Sequence, residues 1–264
     1  MTTDIVLCEI ADGVATVTLN RPERMNAWTY DMEVAYFDLV ERLDDDPAVR
    51  AVVLTGAGRG FCPGMDAAVL AERTAGVKGK EGEDRPMTHA LVLRKPLIAA
   101  INGGCAGIGL VQALVADLRF AAAGAKLATS FTRRGLVAEF GSSWMLARLV
   151  GTGTAADLLL SGRTVTAEEA HALGLVNRVY PGEELLGAAQ DYARDLAANC
   201  SPMAMQGVKA QLAAEWSRTL DDSREQAVLM VRDPVRRVDF AEGVASFNEK
   251  RPPHFAPLPP REGA

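Results

Sequence analysis

The chain has 264 residues, 48% of them hydrophobic, and a formal net charge of −6. That composition supports a substantial core and carries no lysine-rich block to mark a nucleic-acid partner. No apolar run approaches the ~20 residues that span a bilayer, and MTTDIVLCEI lacks the basic start of a secretory signal. A cytoplasmic protein without membrane contact is therefore expected.

IVLCEI and VATVTL flank ADG and predict a β-hairpin. Residues 29 to 43 place Met32, Ala35, Leu39, Val40 and Leu43 at helical spacing, with Thr29 as the candidate cap. AVVLT (51–55) reads as a short strand buried on both faces, and the loop GAGRGFCPGMD follows it. Residues 72 to 87 are polar and glycine-containing and read as a mobile segment. A short helix ending near RKP leads into a second buried strand, LIAAI (97–101).

INGGCAGIGLVQALVADL (101–118) then predicts a turn and a helix from about Gly107 to Ala116, and LRFAA another strand. This alternation indicates α/β architecture with crossover connections. Thr166 and Glu169 have capping-box spacing, Gly174 is placed to end that helix, and LVNRVY reads as a strand. Ser201-Pro202 and Asp233-Pro234 predict two helix starts. The expected organisation is a core over residues 1–198 and a helical region over 199–264 that covers the pocket and mediates oligomerisation. The tail KRPPHFAPLPPREGA cannot continue a helix. No tandem repeat is apparent.

Cys8, Cys62, Cys105 and Cys200 show no CxxC pairing or zinc spacing, so buried thiols are expected. His89, His171 and His254 are too far apart in sequence to announce a metal cluster.

Gly103, Gly104, Gly107 and Gly109 crowd the point where a helix begins, at an entropic cost. No Gly-Lys-Ser/Thr follows, as a phosphate loop would need, and the glycine spacing fails the dinucleotide fingerprint. FCPGMD and GGCAGIG share a design: each follows a buried strand and precedes a helix, so each presents backbone N–H groups at a helix start. Two such donors aimed at one point make an oxyanion hole. Tight packing of a glycine-rich turn is the alternative, and spacing does not choose between them.

VATVTLNRPERMNAW (14–28), VRAVVLTGAGRGFCPGMDAAVL (49–70), RKPLIAAINGGCAGIGLVQALVADLRFA (94–121), LVGTGTAADLLLSGRTVTAEEAHALGLVNRVYP (149–181) and FAEGVASFNEKRPPHF (240–255) resemble the crotonase, or enoyl-CoA hydratase/isomerase, family. They follow the family order over nearly the whole chain. The resemblance implies an α/β spiral of ββα units with a helical C-terminal region, assembled as a homotrimer or a dimer of trimers. It implies acyl-CoA thioester substrates and no metal or redox cofactor.

Carried onto these positions, the resemblance makes Met65 and Ile108 the two backbone donors that hold the thioester oxygen as it becomes an enolate. It implies CoA-binding positions at Arg24, Asn26, Ala27 and Asp66. A solvated arginine and a helix-capping aspartate are the alternatives for Arg24 and Asp66. It places Phe131, Trp144 and Val111 at the acyl pocket, with simple core packing as the alternative.

Hydratases of the family use two glutamates, and the matching positions here carry Val111 and Phe131, neither of which can take a proton. Glu139, in AEFGSS, is similar in position to the single catalytic glutamate of peroxisomal-type Δ3,Δ2-enoyl-CoA isomerases. The resemblance therefore implies isomerisation with Glu139 as acid and base, amid the apolar neighbours Val137 and Phe140. A surface or capping acid is the alternative, and Arg134 stands close enough in sequence to pair with it. Gln112 is expected to pack, and His89 either to reach the acyl pocket or to be solvated. An atypical hydratase, a thioester hydrolase and a non-catalytic acyl-CoA-binding protein remain as rival functions.

Overall fold

The structure, a computed structural model, describes residues 4–75, 85–232 and 234–261. Strands β1 (Val6–Ala11) and β2 (Val14–Leu19) pair antiparallel across Asp12 and Gly13. Both turn residues have positive φ, 51° and 77°, which a two-residue hairpin requires. Thr29 accepts a hydrogen bond from the Met32 N–H and opens α1 (Tyr30–Asp45). Trp28 and Tyr36 pack edge to face at 5.8 Å beneath it, beside Phe37.

From here the chain repeats one move. Strand β3 (Ala51–Gly56) is followed by β4 (Gly60–Cys62) and α2 (Ala67–Thr74). Strand β5 (Leu97–Ile101) is followed by β6 (Gly104–Ala106) and α3 (Ile108–Val115). Strand β7 (Leu118–Ala122) is followed by β8 (Lys126–Ala128), then by α4 (Ser142–Val150), α5 (Thr152–Ser161), β9 (Thr164–Thr166), α6 (Ala167–Ala172), β10 (Arg178–Tyr180) and α7 (Leu185–Asn199).

The first strand of each unit joins a six-stranded sheet, β1-β2-β3-β5-β7-β10, parallel beyond the hairpin. The short second strand joins a four-stranded sheet, β4-β6-β8-β9. This is the expected α/β spiral of ββα units. All residues of β3 and β5 are buried, because a parallel sheet is covered on both faces. Helix α7 provides one cover, with Ala189, Ala193 and Ala197 buried against the sheet.

Four expectations change. The three-residue strands β4, β6, β8 and β9 have no alternation to read, so the second sheet is absent from the sequence pattern. The element before RKP is a 3₁₀ turn over His89–Val92. Thr166 accepts from the Glu169 N–H, but the Glu169 carboxylate turns to Arg163 at 2.6 Å, so the capping box is half formed. Cys62 and Cys105 are buried free thiols, whereas Cys8 is exposed and Cys200 half-buried.

The segment read as mobile lies mostly outside the described residues; at its end Met87 is buried.

Between Cys200 and Glu249 the described residues form helices and their connections, without strands. Ser201 accepts from the Ala204 N–H and opens α8 (Pro202–Ala214), with proline at its start. Helices α9 (Leu220–Val231) and α10 (Pro234–Glu249) follow, and Asp233 lies outside the described residues. Lys209 of α8 donates to Asp117 at 2.7 Å and to the Lys95 carbonyl at 2.8 Å, which ties this layer to the segments just ahead of β5 and β7. The proline-rich tail returns along the core: Arg50 donates to the Phe255 carbonyl and Arg261 pairs with Asp45.

Gly109 is where β4 and α3 touch. A Cβ there would lie 2.0 Å from the Cys62 carbonyl oxygen and 2.8 Å from its carbon, both backbone atoms. Gly109→Ala is expected to cost at least about 3 kcal/mol of stability by overpacking, read as a lower urea midpoint.

Candidate active site

Strands β4 and β6 are parallel neighbours, with Gly60 opposite Gly104 and Cys62 opposite Cys105. Their C-terminal ends therefore release two loops side by side. Gly64 (φ 109°) turns the first toward α2, and Gly107 (φ 51°) turns the second into α3. The two backbones touch: a Cβ on Gly107 would lie 3.7 Å from the Gly64 Cα, and one on Gly64 would lie 3.3 Å from the Ala106 carbonyl oxygen. A side chain at Gly64 would push the Ala106 carbonyl by a few tenths of an ångström, whereas at Gly107 it is the positive φ rather than space that favours glycine.

Met65 and Ile108 follow these glycines. Trp28 donates to the Gly64 carbonyl and accepts from Asp66, so the Met65 N–H between them is left out of the bridge. Ile108 opens α3, where the first amides have no intrahelical acceptor. Among the described residues neither N–H has an acceptor. The α3 dipole adds partial positive charge at Ile108.

Met65 and Ile108 line a cavity of about 400 Å³. Its other walls come from Leu70 and Thr74 of α2, and from Phe131, Arg134, Leu136, Glu139 and Phe140 in the connection between β8 and α4. Glu139 is half-buried, with its own carbonyl accepting from the Ser142 N–H at the start of α4. It is the sole carboxylate among the described lining residues. Phe140 packs against the core beside it, but Val137 is 79% exposed and shields nothing. Arg134 shares the wall with Glu139, and no ion pair joins them among the described residues.

The cavity thus gathers Met65, Ile108, Phe131 and Glu139. It does not gather Val111 or Trp144. Val111 lies in the core with 0% exposure, on a helix whose every residue is buried. Trp144 is 49% exposed on α4, and the Arg148 guanidinium lies 3.7 Å over its ring. His89 reaches neither cavity nor open solvent: it pairs with Glu41 at 2.7 Å and packs on Phe37 at 5.2 Å. Gln112 is buried and donates to the Met87 carbonyl at 2.8 Å.

The four candidate CoA positions divide. Arg24 is exposed, and its guanidinium has no hydrogen-bond or ion-pair partner among the described residues. Asn26 is fully buried at φ 63°, accepting from the Arg21 N–H and donating to the Ala57 and Gly60 carbonyls. Ala27 is buried, and its carbonyl accepts from Arg21. Asp66 caps α2 through the Ala68 N–H at 3.0 Å and pairs with Arg21 at 3.0 Å. These three residues hold the first loop against β4 and offer no free side chain to a ligand. Arg21 organises them and is not evident as a site residue from its sequence context, where the Asn-Arg-Pro run ahead of the loop is its one signal.

The Ala68 N–H and, after it, Arg21 hold the Asp66 carboxyl below the usual carboxylate range, against the opposing effect of burial. A carboxylate depressed on folding adds stability above its unfolded pKa of about 3.9, and loses it as pH falls through the lower folded value. Asp66→Asn is expected to lower Tm by about 2–4 °C at neutral pH. It should also flatten the loss of stability below pH 4, which melts across pH 2–7 would show.

The Cys62 thiol is pushed up to about 12 by burial, and Cys105 well above its ordinary value for the same reason. Both stay protonated at neutral pH, so neither supplies a thiolate nucleophile. Among the described residues no cluster of His, Cys, Asp or Glu could hold a metal ion, and no helix is long and apolar enough to cross a membrane.

A two-sheet spiral with two adjacent backbone amides over one cavity defines a crotonase-fold protein, and solved structures of that fold superpose along nearly the whole chain. A probable enoyl-CoA hydratase/isomerase from Mycobacterium abscessus matches with TM-score 0.86 and 36% identity, covering 96% of this chain and 99% of that one. The family model for enoyl-CoA hydratase/isomerase matches residues 9–257, and the chain belongs to that family of acyl-CoA enzymes. Among curated relatives, the 1,2-epoxyphenylacetyl-CoA isomerase of Escherichia coli is 34% identical over 96% of this chain and 98% of its own length. The probable enoyl-CoA hydratase EchA12 of Mycobacterium tuberculosis is 38% identical over 92% of this chain and 89% of its own.

Proposed function

We propose that the protein isomerises enoyl-CoA thioesters, moving a C3–C4 double bond to C2–C3 through a dienolate. The observation that carries this reading is the pairing, around one cavity, of two amides that have no acceptor among the described residues with the sole carboxylate of the described lining. The Met65 and Ile108 N–H groups donate to the thioester oxygen. Glu139 removes a proton from C2, the C2–H electrons form the dienolate, and the negative charge gathers on the held oxygen. When the dienolate collapses, C4 takes the proton back from Glu139. The CoA thioester is the substrate, and no step calls for a metal or redox cofactor.

Hydration by the two-acid route would need a second carboxylate near the attacking water. The described lining holds none, and the two positions expected of it are Val111 and Phe131. Cys62 and Cys105 are buried and lie outside the described cavity lining, which disfavours a covalent hydrolase through either thiol. A non-catalytic binder would have no use for an acid beside the amides.

Arg24, exposed near the first loop, is the proposed contact for the CoA phosphates. Val208, Leu212, Phe240 and Phe247, all more than half exposed on α8 and α10, support a homotrimer or a dimer of trimers. A cytoplasmic location completes the reading.

The test is incubation with 3-hexenoyl-CoA and 2-hexenoyl-CoA in heavy water. Deuterium entering C2 and C4, with 2-hexenoyl-CoA as product, supports isomerisation. Formation of 3-hydroxyhexanoyl-CoA would establish hydration instead, free CoA would establish hydrolysis, and unchanged thioester would leave only binding.

A further inference from the structure

The reaction just proposed uses one charged group of the cavity and leaves another unexplained. Arg134 is the sole cation among the described lining residues. It stands on the 3₁₀ turn Thr132–Arg134, between Phe131 and Leu136, on the wall that carries Glu139. Its side chain is exposed and has no hydrogen-bond or ion-pair partner among the described residues. The adjacent Arg133 is committed elsewhere, its Nε donating to the Ser161 carbonyl at 2.9 Å.

Much of the described lining is apolar, with Met65, Leu70, Ile108, Phe131, Leu136 and Phe140, while Thr74, Thr129 and Ser130 add uncharged polar side chains. A neutral acyl chain laid past the guanidinium would offer its charge no partner. A carboxylate would supply one, since the guanidinium fork matches it with two charge-assisted hydrogen bonds.

Two sources of anion reach such a site: the acyl chain and the CoA phosphates. The position of Arg134 favours the acyl chain. It shares its wall with the carboxylate that must reach the acyl carbons, whereas Arg24 stands exposed beside the first loop for the phosphates.

We propose that Arg134 receives a carboxylate borne by the acyl chain, so that the preferred substrates are CoA monothioesters of unsaturated dicarboxylic acids. The inference rests on the preceding reading only in taking this cavity as the acyl site. It requires no particular reaction there.

Saturated thioesters separate binding from chemistry. Isothermal titration calorimetry would compare glutaryl-CoA with pentanoyl-CoA, and adipoyl-CoA with hexanoyl-CoA, at low salt. The acid-ended member of at least one pair is expected to bind about tenfold tighter, the size of one charge-assisted contact. That preference should shrink at high salt, vanish in Arg134→Gln and survive in part in Arg134→Lys.

Equal binding of both members of each pair by the native protein would overturn the inference and leave the isomerase reading intact. An Arg134→Gln variant that weakens neutral and acidic thioesters alike would assign the arginine to the CoA phosphates and also overturn it. If no thioester binds at all, this inference and the proposed function fall together.

Discussion

Glu139→Gln is expected to lower kcat on a 3-enoyl-CoA by about 10²–10⁴-fold, the usual worth of a positioned general acid and base. Glutamine keeps the shape of the side chain and cannot carry the proton from C2 to C4. KM should change little, because the two amides still hold the thioester oxygen. Deuterium entry at C2 should fall by the same factor as turnover, since both steps use the one carboxylate. A variant that retains a tenth or more of native turnover would remove Glu139 from the reaction. The outcome is sharp because the described lining has no second acid to take over.

The second large effect tests the amide at residue 108. Ile108→Pro deletes the N–H at the first position of α3, where proline is tolerated because that hydrogen has no helical acceptor. Turnover is expected to fall about 10²–10³-fold, as for loss of one oxyanion donor. Ile108→Ala is the comparison. It keeps the N–H and loses buried side-chain contacts, so it should destabilise the protein by about 2–4 kcal/mol while turnover stays within a few-fold of native. Steady-state kinetics on both, beside their urea midpoints, separates the roles. Equal activity in the proline and alanine variants would mean that this amide does not hold the oxygen.

Several parts of the molecule can be read from local chemistry alone. Asp12-Gly13 turns the first hairpin because two consecutive positive φ values suit these residues. Thr29 and Ser201 start helices because each oxygen satisfies an N–H that the helix cannot. The strands β3 and β5 show themselves as unbroken apolar runs because both faces are covered. The two glycine loops are legible as turns that present backbone N–H groups at a helix start, with tight packing as the alternative, whereas only the resemblance to the crotonase family singles out Glu139.

Other outcomes depend on partners far away in the chain. Each strand of the second sheet has three residues, too few to show a period, and exists only because its neighbour supplies hydrogen bonds. Yet that sheet sets Gly64 beside Gly107 and so brings the two amides together. Asn26 looked like a ligand contact until the fold surrounded it with the backbone of residues 21, 57 and 60.

Trp144 left its expected place for a related reason, and Arg134, though exposed, joined the cavity lining. Helix α4 turns the indole outward under Arg148, while the 3₁₀ turn before it leaves the guanidinium in the cavity wall. Backbone propensity and capping act over a few residues, so residue order displays them. The destination of a side chain depends on which surface folds over it, and that is decided only when distant segments meet.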